Sequence, residues 1–154
     1  MILAVTLCLT WIVVNLFVML PKKMSWEENL FLFLVSSITI MFALLIPAKR
    51  MYFDDPGYKY SLEGTMAFLT NRNIIFPILT LLSVNLIQYR GFWKQALVAL
   101  VSLFVFLAFC RLEEKHTIVS SISPIQLTVF FIFYYSLMLS LLKCFRLLAE
   151  ERKV

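Results

Sequence analysis

The chain has 154 residues, one domain's length, of which 62% are hydrophobic and 15% charged, with a net charge of +5. Soluble domains carry roughly 45–50% apolar and about 25% charged residues, and a water-soluble fold of this size cannot hide the surplus. A soluble domain is excluded, and the positive balance fits an anionic membrane surface rather than nucleic acid, because no soluble basic domain is present to dock a duplex.

Five apolar runs occupy residues 2–20, 30–46, 74–89, 92–110 and 124–142. A helix needs about 20 residues to cross the hydrocarbon, with a range of roughly 17–25. Open strands would leave backbone groups unpaired in lipid, and the runs lack the two-residue alternation of a barrel. The predicted fold is all-α, a polytopic transmembrane helical bundle of five spans in a single domain over 1–154.

The first run starts beside Met1 without the basic opening or small-residue cleavage pattern of a secretory signal, and is expected to be retained. Pro21, Lys22 and Lys23 end it. Ser25 and Glu28, three apart, form a capping box that starts the second helix, so the first two spans are predicted to be an antiparallel pair. The second run is slightly short, with Trp26 and Asn29 available to extend it into the interface. Its Ser36, Ser37 and Thr39 are read as helix-packing residues, and Pro47 as its end.

Residues 47–73 are predicted to be the longest loop, with a possible interfacial helix. Asp54-Asp55-Pro56-Gly57 has turn chemistry. Two carboxylates are too few for a calcium site, which takes six to eight oxygens, and no metal site is expected. Tyr52, Phe53, Tyr58 and Tyr60 suit the aromatic belt of a bilayer surface. Leu62, Met66 and Leu69 recur at helical spacing, so residues 61–73 either lie on the membrane or continue the third span. That span is the shortest, and it crosses only if its helix begins before Asn73. Pro77 is its expected bend, because proline deletes a backbone hydrogen bond.

A short aromatic and basic turn, 89–94, leads into the fourth span, whose one polar residue beyond its first turn is Ser102. Arg111 to Ser123 carries the lone histidine, His116, beside Glu113, Glu114 and Lys115. This is read as a solvated helix end rather than a catalytic cluster, since no second histidine or placed nucleophile accompanies it. In the fifth span Tyr134 and Tyr135 need hydroxyl partners, with Ser136, Ser140, Asn85 and Gln88 as candidates. Cys8, Cys110 and Cys144 stand singly, which signals neither a disulfide framework nor a zinc site.

All nine acids and nearly all bases lie outside the five runs. Charges at membrane depth mark ion paths and proton relays, so their absence argues against a proton-coupled transporter. Metalloprotease, serine-hydrolase and phosphate-loop motifs are missing as well. No enzyme activity and no cofactor is expected. Loops one and three with the tail hold eight Lys and Arg against six on the other side, which favours a cytoplasmic C-terminus in a cell membrane.

In the order and spacing of short motifs the chain resembles an uncharacterised family of small five-helix integral membrane proteins of endospore-forming bacteria. The motifs are Trp11–Val13 leading to Pro21-Lys22-Lys23, Phe31–Phe33, Phe76-Pro77, Tyr89-Arg90, and Leu112-Glu113-Glu114-Lys115-His116-Thr117. The resemblance implies a five-helix fold in a Gram-positive cell membrane and carries no activity.

The leading expectation is a structural or accessory subunit that associates with a protein partner, or with itself, through its helices in the lipid bilayer. The alternative is a small-molecule or lipid-handling channel or carrier, with Asn15, Asn85, Gln88, Tyr134 and Tyr135 as a polar seam. A surface enzyme using Glu113, Glu114 and His116 is the third reading.

Overall fold

Long apolar runs broken by short polar segments leave the backbone one way to satisfy itself in lipid, and the computed structural model has only helices as regular elements among its described residues. It describes the backbone of residues 2–54, 62–88, 91–115 and 123–151, with side chains at 3–42, 62–88, 91–112 and 123–149. The elements are α1 (Ile2–Met19), α2 (Trp26–Asp54), α3 (Leu62–Thr70), α4 (Phe76–Ile87), α5 (Phe92–Lys115) and α6 (Pro124–Glu151). A π-helical turn over Asn71–Ile75 joins α3 to α4 without a break, so the described residues form five helices.

Three helices are long and apolar enough to cross a bilayer: Leu62–Ile87, Phe92–Leu112 and Pro124–Ala149. The apolar stretch of α1, Leu3–Met19, is shorter. The fold is therefore an all-α, multi-pass bundle in which, among the described residues, three spans rather than the expected five meet the length and composition requirement.

Residues 47–73 are not one loop. Helix α2 continues through Pro47 to Asp54, and residues 62–73 belong to the third helix. Proline in a helix interior deletes one hydrogen bond, a loss that a membrane helix re-satisfies from its neighbours. The third helix is 26 residues long, about 39 Å at ~1.5 Å per residue. It accommodates Pro77 by widening the turn before it. The Phe76 N–H donates to Asn71 O, five residues back, which eases the clash a proline ring makes with the carbonyl four residues earlier, here that of Asn73.

This third helix is also the centre of the bundle. Of its most apolar window 67% is buried, against 28% for α6 and 6% for α5. Its α4 half is buried along most of its length, its polar side chains Thr80, Ser83 and Asn85 included, and it packs against α1, α2 and α5. Helix α6 packs on α2 and α5. The main core joins Leu32 and Ile40 of α2, Phe76, Leu81 and Val84 of α4, Phe106 of α5, and Phe131, Tyr134 and Met138 of α6. A smaller one joins Val13 of α1 to Ile75, Ile78 and Leu82. In lipid these contacts stabilise by close packing, since leaving the hydrocarbon gains nothing for an apolar side chain.

The predicted capping box is present, with Ser25 N–H donating to Glu28 Oε2 at 2.9 Å and Glu28 N–H to Ser25 Oγ at 3.2 Å. Gly91 opens α5 at a φ of 122°, a conformation in which a Cβ would be strained.

Candidate functional site

Polar side chains inside an apolar bundle need partners, and here the hydrogen bonds that supply them are arranged in layers. At the end where α1 turns into α2, Asn85 is fully occupied. Its Oδ1 accepts the backbone N–H groups of Lys23 and Met24 at 3.1 and 3.2 Å, and its Nδ2 donates to Asn29 Oδ1 and Leu81 O at 3.0 and 2.9 Å. Asn29 in turn donates to Met24 O and Ser25 O. These amides clamp the α1–α2 loop onto the end of α4.

Beside them, Arg146 of α6 donates from Nε to Glu28 Oε1 at 2.6 Å, and from Nη2 to Glu28 Oε2 at 3.2 Å and Gln88 Oε1 at 3.0 Å. The Arg146 hydrogen bond holds the Glu28 carboxyl below the usual glutamate range, against a smaller upward push from burial. The start of α2 and the ends of α4 and α6 thus meet at one end of the bundle.

The middle layer is built from hydroxyls. Tyr134, 2% exposed, contacts Ser36 Oγ on α2 and Thr80 Oγ1 on α4, the latter at 2.8 Å. Thr80 gives its one proton to Phe76 O, so Tyr134 donates to Thr80 and Ser36 donates to Tyr134. Ser83 likewise gives its proton to Leu79 O, so in the 2.7 Å contact with Ser102 of α5 it is Ser102 that donates. Tyr135 lines the same cavity as Thr80, Ser83 and Ser102.

These groups border a cavity of roughly 200 Å³ along the α4–α5 gap. Thr80, Ser83, Ser102, Tyr134 and Tyr135 form its polar strip, and Leu79, Leu82, Leu86, Val101, Val105 and Phe106 are among its apolar walls. Leu16 of α1 and Val101 of α5, 47% and 51% exposed, stand at its border on the outer surface. Ser102 is midway along Phe92–Leu112, and Tyr135 near the middle of Pro124–Ala149.

Below this layer the π-helical turn carries Arg72, 1% exposed, its Cζ 4.1 Å from the centroid of the Phe68 ring. Asn73 Oδ1 there accepts from Ser37 Oγ at 3.2 Å. Arg72, read from the sequence as part of a polar cluster before the third span, is instead buried within the 62–87 helix, ~15 Å along the axis from Leu62.

The five residues of the expected seam fall in three places. Tyr134 and Tyr135 line the cavity. Asn85 and Gln88 belong to the end layer, and Asn15 donates to Trp11 O of its own helix at 2.7 Å. The tyrosine partners are Ser36 and Thr80 rather than Ser136, Ser140, Asn85 or Gln88; Ser140, for one, bonds Ser136 O in its own helix. Thr80 and Ser83 escaped the sequence reading, although they are spaced three apart on a helix, and Ser102 is read there only as the polar residue of its span. His116, Asp55, Pro56, Gly57, Tyr58 and Tyr60 lie outside the described residues, as do the side chains of Tyr52, Phe53, Asp54, Glu113, Glu114 and Lys115. Among the described residues no group of three or more His, Cys, Asp or Glu is placed to hold a metal ion.

The chain is a multi-pass helical membrane protein whose interior holds a buried hydrogen-bond network. No family model, no curated protein and no solved structure matches it, so the resemblance to the endospore-former family extends only to its helical, membrane-spanning character.

Proposed function

We propose that this protein handles a small molecule or lipid within the membrane, as a carrier or channel, and that the α4–α5 cleft is where the ligand sits. One observation carries this reading: a roughly 200 Å³ cavity at mid-span combines apolar walls with a strip of five hydroxyls. Ligand sites are mostly apolar concavities with a few placed polar groups, often between the helices of a bundle. A packing interface in a subunit has no use for such a space, because unfilled volume forfeits contacts. No feature of the bundle surface favours the accessory-subunit reading to the same degree.

On this reading the chain crosses the membrane five times, with α1 and α2 as an antiparallel pair and the α1–α2 loop on the same side as the end of α6. Removing Arg72 from the loop charges widens the basic excess on that side, which supports a cytoplasmic C-terminus. The chemistry proposed is binding and movement rather than catalysis.

The test is photolabelling in bilayers with an uncharged alkyl probe bearing a diazirine. Adducts concentrated on Leu79, Leu86, Val101 and Val105 support the cleft. Adducts spread evenly over outward-facing residues such as Leu97, Phe104 and Phe133 count against it.

A further inference from the structure

We infer that the cleft holds one long alkyl chain of a bilayer lipid, laid along α4, with the lipid's head left at the membrane surface beside the α1–α2 loop. This rests on the cleft being a ligand site, as proposed above, and deepens it by naming the ligand class.

The shape of the cleft is that of a chain. On the central helix its walls run from Phe76 to Leu86 along one side, ~15 Å of axis at ~1.5 Å per residue. That is half the ~30 Å depth of the hydrocarbon core, the depth of one leaflet. Leu20 and Leu86 line the end close to the layer where Gln88 meets Arg146 and the loop backbone meets Asn85. Phe76 and Ser102, the latter midway along its span, line the other. A space drawn out from near the surface to the middle of the bilayer follows the path of a lipid chain rather than the outline of a compact head.

The chemistry of the walls agrees. Thr80 and Ser83 give their protons to backbone carbonyls of their own helix, Tyr134 gives its proton to Thr80, and Ser102 to Ser83. No buried polar atom of a cleft side chain lacks a hydrogen-bond partner. The hydroxyl strip therefore ties the helices to one another, and a polar ligand would have to break those bonds to gain its own. An alkyl chain asks for none. None of the lining residues is charged, so a charged head drawn inside would be desolvated without a counter-charge. The head stays at the surface.

Size and access fit as well. The volume of roughly 200 Å³ exceeds the apolar cavity of about 150 Å³ that takes up benzene and otherwise stays dry. Left empty, such walls forfeit their contacts, and a chain restores them. Leu16 of α1 and Val101 of α5, half-exposed at the border, place the opening towards lipid. A chain can enter there sideways while no polar group crosses the apolar wall.

The experiment places the full chain in phosphatidylcholine vesicles with trace phosphatidylcholine bearing a diazirine either at the end of one chain or beside its carbonyl. Adducts are mapped by mass spectrometry. The expected result is depth-ordered labelling: the chain-end probe marks Phe76 and Val105, and the carbonyl-side probe marks Leu20 and Leu86. Phe76 is buried, so its labelling reports entry rather than contact with the outer surface. Val105→Trp, which fills the cleft, should remove the Phe76 adduct and leave those on the outward-facing Leu97 and Phe104. Val101→Trp at the exposed border makes the same test if the first variant does not fold, with circular dichroism as the check. Ser102→Ala should leave the pattern unchanged. A loss of about fivefold in Ser102→Ala, the effect of one neutral hydrogen bond, overturns the chain assignment in favour of a ligand held by its polar group. Labelling of the cleft by the free alkyl probe but by neither lipid, or by both lipids without depth order, overturns it and leaves the cleft as a site. Failure of every probe to mark the cleft removes the functional proposal itself, and the chain assignment with it.

Discussion

Asn85 donates to the side chain of Asn29 at 3.0 Å while its own oxygen receives two backbone N–H groups from the α1–α2 loop. The pair joins residues 56 positions apart and secures the loop against the end of the central helix. Asn85→Ala should leave both loop N–H groups without that acceptor and cost about 1–3 kcal/mol, the range for buried unsatisfied groups. Asn15→Ala, which removes a bond within one helix, should cost under about 0.5 kcal/mol. Unfolding in bilayers by a steric-trap measurement checks the contrast, and equal effects would refute the clamp.

Tyr134 ties α6 to α2 and α4 through one oxygen. Tyr134→Phe should destabilise by roughly 0.6–1.7 kcal/mol, the span measured for side-chain hydrogen bonds between membrane helices. A double-mutant cycle with Thr80→Val should return a coupling of similar size. Additive losses would mean that the two hydroxyls do not act together.

Acid should loosen α6 from α2. Because Arg146 lowers the Glu28 pKa, the folded protein holds fewer protons at this site than the unfolded chain does. The contribution to stability is thus complete above the ordinary glutamate value of about 4.3, and is lost as pH falls through the lower folded value. The melting temperature should drop more steeply for the parent than for Glu28→Gln between about pH 5 and pH 3. The Arg146 side chain is 41% exposed, so the effect should shrink in high salt.

Arg72 should be shielded from water. In a background with Cys8, Cys110 and Cys144 replaced, a cysteine at position 72 should resist a membrane-impermeant maleimide in intact vesicles, while one at Lys22 should react when its side is exposed. Rapid labelling at 72 would return the segment to a loop.

Gly91 should resist replacement. At a φ of 122° with open space around it, alanine meets backbone strain rather than a clash. Gly91→Ala should lower stability by about 1 kcal/mol or more, measurable as an earlier melt with an unchanged ligand profile.

What the sequence alone determined is whatever depends on near neighbours or on composition. The membrane class follows from total apolar content, and the helical fold from the need to pair backbone groups in lipid. The Ser25–Glu28 capping box follows from a three-residue spacing that a helix start imposes locally. Only the tertiary structure decided the rest, because the deciding contacts join distant positions. Arg146 finds Glu28 across 118 residues, and Tyr134 finds Ser36 across 98 and Thr80 across 54. Arg72 misled the sequence reading for a related reason. Hydropathy treats Thr70, Asn71, Arg72 and Asn73 as a polar approach to a span, whereas burial of the third helix by its neighbours supplies a protein environment in which those side chains are tolerated inside it. Ser, Thr and Tyr carry hydroxyls that bond their own helix or another with equal ease, and packing alone selects which.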